Sequence, residues 1–507
     1  MKPHHHRAKA LLLTAILLCA PTAFAQHNRF ARTSFAVPGE PFAMWVDGAQ
    51  KPHLRHLPKG LRWNKDKKLI EGVLSREGTY HFTIGGDTAT IIATAHLQQP
   101  SPLMGLLTWN VLEADISEQK LQLLADAMAD LGLRDAGYRY LCIDDCWAMP
   151  ERNESGELVP IPEKFPNGMR HLTDYIHAKG LKAGIYSDGG TYTCSHAQPG
   201  SLHHEAVDAE HFARWGFDLL KYDFCYSDLA HQGSNGSADT AWAKEVYGRM
   251  HRALQEYCST DFVFYICEWG RLAPWQWGAE VGGSCWRATD DTRDAWSRSD
   301  YRGSVVDNLH IFTQIWPYSG RSRYSDADMV MCGLHGTGRS SSDGTDRKGM
   351  TADEYRSQFA LWCMWASPIT LCFDITTLYD GHSRLSDLYN PYWEEDLKLI
   401  TNRHLIAIDQ DPLGLCARPS FTPDSSILIL EKPLADGGKA VSFTNLSDLE
   451  SARHEYRVEK GDTATDIWTG EVGRSSKGML TINPLRPHET RVLIIRKQAI
   501  YISIIKT

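Results

Sequence analysis

The sequence predicts a (β/α)8 barrel set between two all-β regions, and three observations carry that prediction. Between about 103 and 400, short apolar runs alternate with amphipathic helical stretches, in some seven or eight units. Outside those limits helical periodicity vanishes, and short alternating strands separated by turn residues take its place. Within them, one proposed strand after another ends in an acidic residue.

Length agrees with this division, since 507 residues allow roughly three domains at about 150 each. Residues 1–25 read as an address segment. Lys2, Arg7 and Lys9 precede the apolar run Ala10 to Ala20, too short to span a bilayer, and Ala23-Phe24-Ala25 gives the small-x-small pattern of a cleavage site. The expectation is a secreted or periplasmic protein. Cys19 raises a lipoprotein alternative, which Leu18 before it disfavours. Residues 26–100 form a small β module, with turn signals at Pro38-Gly39, Pro58-x-Gly60 and Glu77-Gly78. The stretch Gln98-Gln99-Pro100-Ser101-Pro102, which spans its end and the start of the next region, reads as a stiff linker.

The barrel is expected over 101–408, with strands at 138–143, 181–187, 218–223, 261–267, 284–288 and 367–373, apolar as in a sheet buried on both faces. Ser117 is placed to cap a helix carrying Leu121, Leu124, Met128 and Leu131 on one face, and Gly216 suits the end of another. Residues 409–507 read as an antiparallel β-sandwich, through Ile427-Leu428-Ile429-Leu430, Val441-Ser442-Phe443 and Val492-Leu493-Ile494-Ile495. The apolar tail Ala499 to Ile505 is too short to cross a membrane.

Composition narrows the function classes. Apolar residues make up 42% and charged residues 23%, as in a folded globular protein. The formal net charge of −9 gives no reason to expect nucleic acid or an anionic membrane as partner. Of 12 cysteines, Cys142 and Cys146 stand close together, but no second pair has zinc-ligand spacing and no His-Glu-x-x-His occurs, so no metal and no cofactor are expected. Neither a Walker loop nor a Gly-x-Ser-x-Gly elbow is present. Oligomeric state is not legible.

The acids mark the chemistry. Asp144-Asp145, Asp188, Asp223, Glu268, Asp290-Asp291, Asp326 and Asp328 follow successive strands, and a parallel barrel gathers such ends at one rim. A single acid there commonly caps a helix; six consecutive units do not reduce to capping. Carboxylates with few cations suit a neutral, hydroxyl-rich ligand, and two of them flanking a glycosidic bond can cleave it.

At these residues the chain resembles the α-galactosidases of glycoside hydrolase family 27, over about 103 to 500. The matching stretches include Ile143-Asp144-Asp145-Cys146-Trp147, Phe165-Pro166-Asn167-Gly168, Lys179 to Asp188, Leu220-Lys221-Tyr222-Asp223, Cys267-Glu268-Trp269-Gly270, Trp286-Arg287 with Asp291, and Ile406 to Gly414. The run Leu57 to Gly60, with Leu69-Ile70-Glu71-Gly72 and Gly78-Thr79-Tyr80, resembles immunoglobulin-like modules of secreted bacterial hydrolases. The resemblance implies Asp223 as nucleophile and Asp291 as acid/base of a retaining, exo-acting α-galactosidase, with Asp290 as the rival for the acid. Lys221 is expected to hold Asp223 ionised, and Asp291 to have a raised pKa. Asp144 and Asp145 would bind the O6 and O4 side of a terminal α-galactose, with helix capping as their other reading. Lys221, Arg287 and Asp328 would take the remaining hydroxyls, and Trp109 and Tyr186 would wall the pocket. Cys194 and Cys225 match a family disulfide, while Cys267 and Trp269 match residues near O2; pairing of Cys267 with Cys285 stays open. The same-family alternatives are an α-N-acetylgalactosaminidase and a β-L-arabinopyranosidase, and a carbohydrate-binding protein without catalysis is the remote one.

The chain departs from the family at Met104-Gly105-Leu106, at Tyr324-Ser325-Asp326-Ala327-Asp328, and at Cys146, which lacks its usual partner. Loop Gly333 to Gly349 is about a dozen residues longer than expected, and reads either as a lid over the rim or as a surface insertion.

Overall fold

A computed structural model of the chain describes residues 28–48, 51–227, 239–298, 303–337 and 349–497. Residues 1–27, the apolar tail and residues 338–348 of the long loop lie outside the described residues, so the expectations of an export signal and of a lid do too.

Eight short parallel strands build the barrel: β1 (Met104–Leu107), β2 (Tyr140–Cys142), β3 (Lys182–Asp188), β4 (Leu219–Asp223), β5 (Val263–Cys267), β6 (Cys285–Arg287), β7 (Tyr324–Asp326) and β8 (Ile369–Leu371). Hydrogen bonding runs in the order β7-β6-β5-β4-β3-β2-β1-β8, and a parallel bridge between Val330 and Leu371 closes the ring. β1 and β7 are not among the runs named above. They are no shorter than β2, β6 or β8, but Gly105 and Ser325 interrupt their apolar character.

The helices between strands start and stop where local chemistry dictates. Ser117 accepts the Lys120 N–H at 3.4 Å at the head of Glu118–Asp130, which buries Leu121, Leu124 and Met128. Gly216, at φ +83°, ends Glu205–Trp215. Thr351 and Glu354 form a capping box that opens Ala352–Trp365.

The flanking sheets are built on the two-residue period of a strand. In the C-terminal six-stranded antiparallel sheet, Leu428, Leu430, Ala440, Val492 and Ile494 join the barrel core, while Ile427, Val441, Phe443, Leu493 and Ile495 fill the sandwich core. The N-terminal module packs a four-stranded sheet on a three-stranded one around Phe42, Met44, Ile70, Phe82 and Ile91. Its alternate residues Ala43, Trp45 and Leu69 face the main core.

The stretch read as a linker is a seam. Gln99 is buried; its side-chain oxygen accepts from Ser284 at 2.7 Å and its carbonyl from Ser322 at 2.9 Å. The Tyr324 hydroxyl donates to the Pro100 carbonyl at 2.8 Å, and Gln98 donates to the Phe262 carbonyl. These partners lie at the starts of β5, β6 and β7, so the module is fastened beneath the barrel, opposite the rim where the acids gather. Composition alone misreads this segment because Pro and Gln look alike in a tether and in a groove.

Candidate active site

A cavity of about 420 Å³ opens at the C-terminal rim, and eleven of the residues singled out above line it: Trp109, Asp144, Asp145, Tyr186, Cys194, Lys221, Asp223, Cys267, Trp269, Arg287 and Asp291. The strand-end acids therefore divide. Asp144, Asp145, Asp223 and Asp291 face the cavity; Asp188, Glu268, Asp290, Asp326 and Asp328 are not on its wall.

Asp144 and Asp145 start no helix. Each accepts the N–H of the next residue, Asp145 at 2.9 Å and Cys146 at 2.7 Å, in a tight turn beyond β2. Thr108 accepts the Asp144 N–H at 2.9 Å, tying this turn to β1. The second oxygen of Asp145 accepts the Ser195 N–H at 2.9 Å, and that of Asp144 meets the Lys221 Nζ at 2.7 Å. Lys221 is thus committed to Asp144. It still draws down the Asp223 pKa through space, but it is not that carboxylate's hydrogen-bonded partner. Burial opposes the Lys221 charge, yet Asp144 and Asp223 outweigh it and hold the ammonium protonated. The ammonium also lies 5.2 Å from the centre of the Tyr186 ring.

Asp223 ends β4. One oxygen accepts its neighbour's N–H, from Phe224 at 3.0 Å, and the other the Tyr186 hydroxyl at 3.2 Å. Burial pushes its pKa up to about 6, against Lys221 and the Phe224 N–H, with Asp291 and Asp144 adding to the rise. Asp291 sits across the cavity with half its side-chain surface open, at 51%. Desolvation would raise it, but the Arg287 guanidinium at 3.1 Å holds it below the usual carboxylate range. This reverses the expected order, in which the acid/base was to be the raised member. The physical reason is that Asp223 is deeply buried and its cation Lys221 is paired with Asp144, whereas Asp291 keeps Arg287 as a direct partner.

Asp328 departs from its expected place. It is 1% exposed, pairs with Arg287 at 3.0 Å and accepts the Thr292 N–H at 2.6 Å, so it stands behind the wall and aims the guanidinium. Asp290 is not on the wall and pairs with Arg271 at 3.6 Å. Asp326 accepts the Tyr265 hydroxyl, and Glu268 the Leu272 N–H at 2.8 Å; burial raises the first to about 7 and the second to about 8.

Cys194 and Cys225 are joined by a disulfide with Cα atoms 5.1 Å apart. Cys267 and Cys285 are both free thiols. Register pairs Cys285 with Tyr265, leaving Cys267 a full pleat further along β5, on the cavity wall. Cys146 is also free, beside Ser195 Oγ at 3.3 Å.

Sequence reasoning missed Asn110, Ser195, Thr292, Arg293 and Met329 on the wall. Four adjoin a residue it did find and Arg293 stands two beyond Asp291, so closeness on a short strand-end loop was the available signal. Arg293 also corrects the expectation of few cations: Lys221, Arg287 and Arg293 stand against four acids.

A closed barrel that holds two carboxyl groups across one cavity of sugar size, with hydrogen-bonding groups on its floor and aromatic rings on its sides, is the arrangement of a glycoside hydrolase. Comparison with known proteins names the family. The family model described as alpha galactosidase A matches residues 102–411. The alpha-galactosidase A of Cellvibrio japonicus is 34% identical over 403 residues, covering 75% of this chain and 89% of that protein. The alpha-N-acetylgalactosaminidase of Gallus gallus is 33% identical over 362 residues, covering 68% of this chain and 78% of its own. A solved Bacteroides fragilis structure, 31% identical, superposes with a TM-score of 0.69 and covers 93% of this chain and 98% of its own. The chain belongs to the alpha galactosidase A family.

Proposed function

We propose that the protein is a retaining, exo-acting α-galactosidase that releases terminal α-D-galactosyl residues from oligo- or polysaccharides. The observation that carries this reading is the pair Asp223 and Asp291 on one cavity whose floor is Asp144 linked to Lys221. Asp223 attacks the anomeric carbon while Asp291 gives its proton to the departing glycosidic oxygen. The bond from the anomeric carbon to that oxygen breaks, and galactose becomes an ester of Asp223. Asp291, now ionised, takes a proton from water; the water oxygen bonds to the anomeric carbon and Asp223 leaves. Two inversions give α-galactose.

Exo action is supported by burial: Asp144, Asp145, Tyr186 and Lys221 line the cavity and are themselves buried, which suits a terminal sugar. Asp144 and Asp145 accept hydrogen bonds from hydroxyls, which suits the O4 and O6 side of galactose. A β-L-arabinopyranoside lacks the hydroxymethyl group that would meet Asp144. Cys267 and Trp269 on the wall leave little room for an acetamido group in place of the 2-hydroxyl, which sets the α-galactoside above the α-N-acetylgalactosaminide.

The test is hydrolysis of nitrophenyl α-galactoside, α-N-acetylgalactosaminide and β-L-arabinopyranoside, with the first product anomer followed by proton NMR. Preference for the α-galactoside with α-galactose released first supports the reading. Preference for another sugar, or initial β-galactose, overturns it.

The proposal extends to processing and organisation. The basic start, apolar run and Ala23-Phe24-Ala25 support export with cleavage before Gln26 to a secreted or periplasmic protein, where a disulfide persists. N-terminal sequencing of the mature protein tests this. The working units are 26–100, 101–408 and 409–507.

A further inference from the structure

Next in the chain to residues of the cavity wall, the two loops joined by the Cys194–Cys225 disulfide carry three aromatic rings that the mechanism does not use. Tyr192 and His196 stack with centroids 4.0 Å apart and planes 28° from parallel. Tyr226 meets both edge-on, at 6.3 Å from Tyr192 and 5.2 Å from His196. Tyr192 is 40% exposed and His196 is exposed as well, so this is no core cluster.

The trio is continuous with the sugar cavity. Cys194 and Ser195, between Tyr192 and His196 in the chain, both line it. The Ser195 N–H is fixed on Asp145 at 2.9 Å, and the Cys194 N–H approaches the Tyr186 hydroxyl at 3.4 Å. His196 is the next residue, about 3.8 Å further in Cα terms.

The ledge is held rigidly. Buried Asp188 accepts the Gly190 N–H at 2.7 Å with one oxygen and the Cys225 N–H at 3.0 Å with the other, tying the loop after β3 to the loop after β4. Backbones cross so closely that a Cβ on Gly190 would lie 2.1 Å from the Cys225 carbonyl oxygen. His196 at φ +58° and Tyr226 at φ +50° occupy the left-handed region, a strain that surrounding structure must hold in place. Stacked, exposed and clamped rings beside a cavity for one sugar are suited to the flat apolar face of a second.

We propose that Tyr192, His196 and Tyr226 form the binding platform for the leaving group, and that it takes a pyranose ring, so that oligosaccharides are preferred over galactosides with other leaving groups. This rests on the α-galactosidase reading above. Imidazole and phenol edges offer hydrogen bonds to hydroxyls, which a purely apolar aglycone would leave unused.

The test compares the full chain with Tyr192→Ala and Tyr226→Ala on two substrates. One is α-galactosyl-(1→6)-glucose. The other is α-galactosyl fluoride, whose leaving group has no ring and which also reports that each variant is folded. The expected result is a fall of about tenfold in kcat/KM on the disaccharide, with the fluoride unchanged within about twofold, and recovery in Tyr192→Phe. Equal losses on both substrates, or none on either, overturn the platform. So does a loss seen only with a dodecyl α-galactoside run in parallel. Failure of the unmodified protein on the fluoride instead overturns the α-galactosidase reading, and the platform with it.

Discussion

Titration from pH 4 to pH 8 is the most direct test of the paired carboxyl groups. Burial, then Asp291 and Asp144, place Asp223 at about 6 against the pull of Lys221, while Arg287 keeps Asp291 below the ordinary carboxylate range. The two groups feel each other's charge, so protons leave in two steps that belong to the pair. Double displacement needs one proton between them, with Asp223 ionised and Asp291 protonated. Between the two steps the pair holds one proton, which rests mostly on Asp223; the productive arrangement is a minor tautomer of constant share. Above about 6 that last proton leaves. On α-galactosyl-(1→6)-glucose at concentrations well below KM, kcat/KM should drop to roughly a half at pH 6, a tenth at pH 7 and a hundredth at pH 8, relative to its plateau. The assay is initial glucose release in buffers of matched ionic strength. A kcat/KM that stays within twofold from pH 6 to pH 8 would refute the coupled-pair argument.

The other expectations concern single groups. Asp291→Ala should lose about 10²- to 10⁴-fold on the disaccharide, keep far more activity on α-galactosyl fluoride, and yield α-galactosyl azide when azide is added; a β-azide product would assign the nucleophile's role to it instead. Replacing Cys194 and Cys225 by Ser opens a loop of 31 residues and should lower the unfolding free energy by about 3–4 kcal/mol, read from urea midpoints. An unchanged midpoint would remove the disulfide from the stability of the rim. Burial raises the Asp409 pKa to about 8, against Lys432 and Gln410, so the folded chain holds that proton more tightly than the unfolded one. Its contribution is therefore complete below about pH 4 and lost as pH rises through 8, and Asp409→Asn should flatten the fall of Tm between pH 5 and pH 8. An equally steep fall in the variant would place the pH dependence elsewhere.

The barrel and its rim were legible because both have periodic signatures. Six strands appear as apolar runs, and the acids appear as the residues that end them. Partnership was not legible. Lys221 is two residues from Asp223 on one face of β4, and strand geometry alone pairs them, but Asp144 arrives from β2 and takes the ammonium at 2.7 Å. Asp328 likewise matches a binding position by its place in the chain, yet its φ of +72° turns it behind Arg287. Such contacts depend on which strand end stands next to which around the ring, and that is a property of the closed barrel. The aromatic ledge was hidden for a related reason: Tyr192 and Tyr226 are 34 residues apart and meet only once the disulfide and Asp188 have drawn their loops together.

The seam beneath the barrel has a consequence for how the molecule comes into being. Trp45 donates to the Cys416 carbonyl at 2.9 Å across 371 positions, and its ring meets Trp316 edge-on at 5.0 Å. Synthesis runs from the N-terminus, at about 5–20 residues per second, so Trp45 waits roughly 20–75 s before the residue that covers it exists. Until the barrel residues that meet them are made, Ala43, Trp45 and Leu69 of the first-made module stand bare. The earliest part of the chain to be made is thus among the last to be finished: Trp316 of the barrel arrives first, and Cys416, just beyond the barrel, completes the cover.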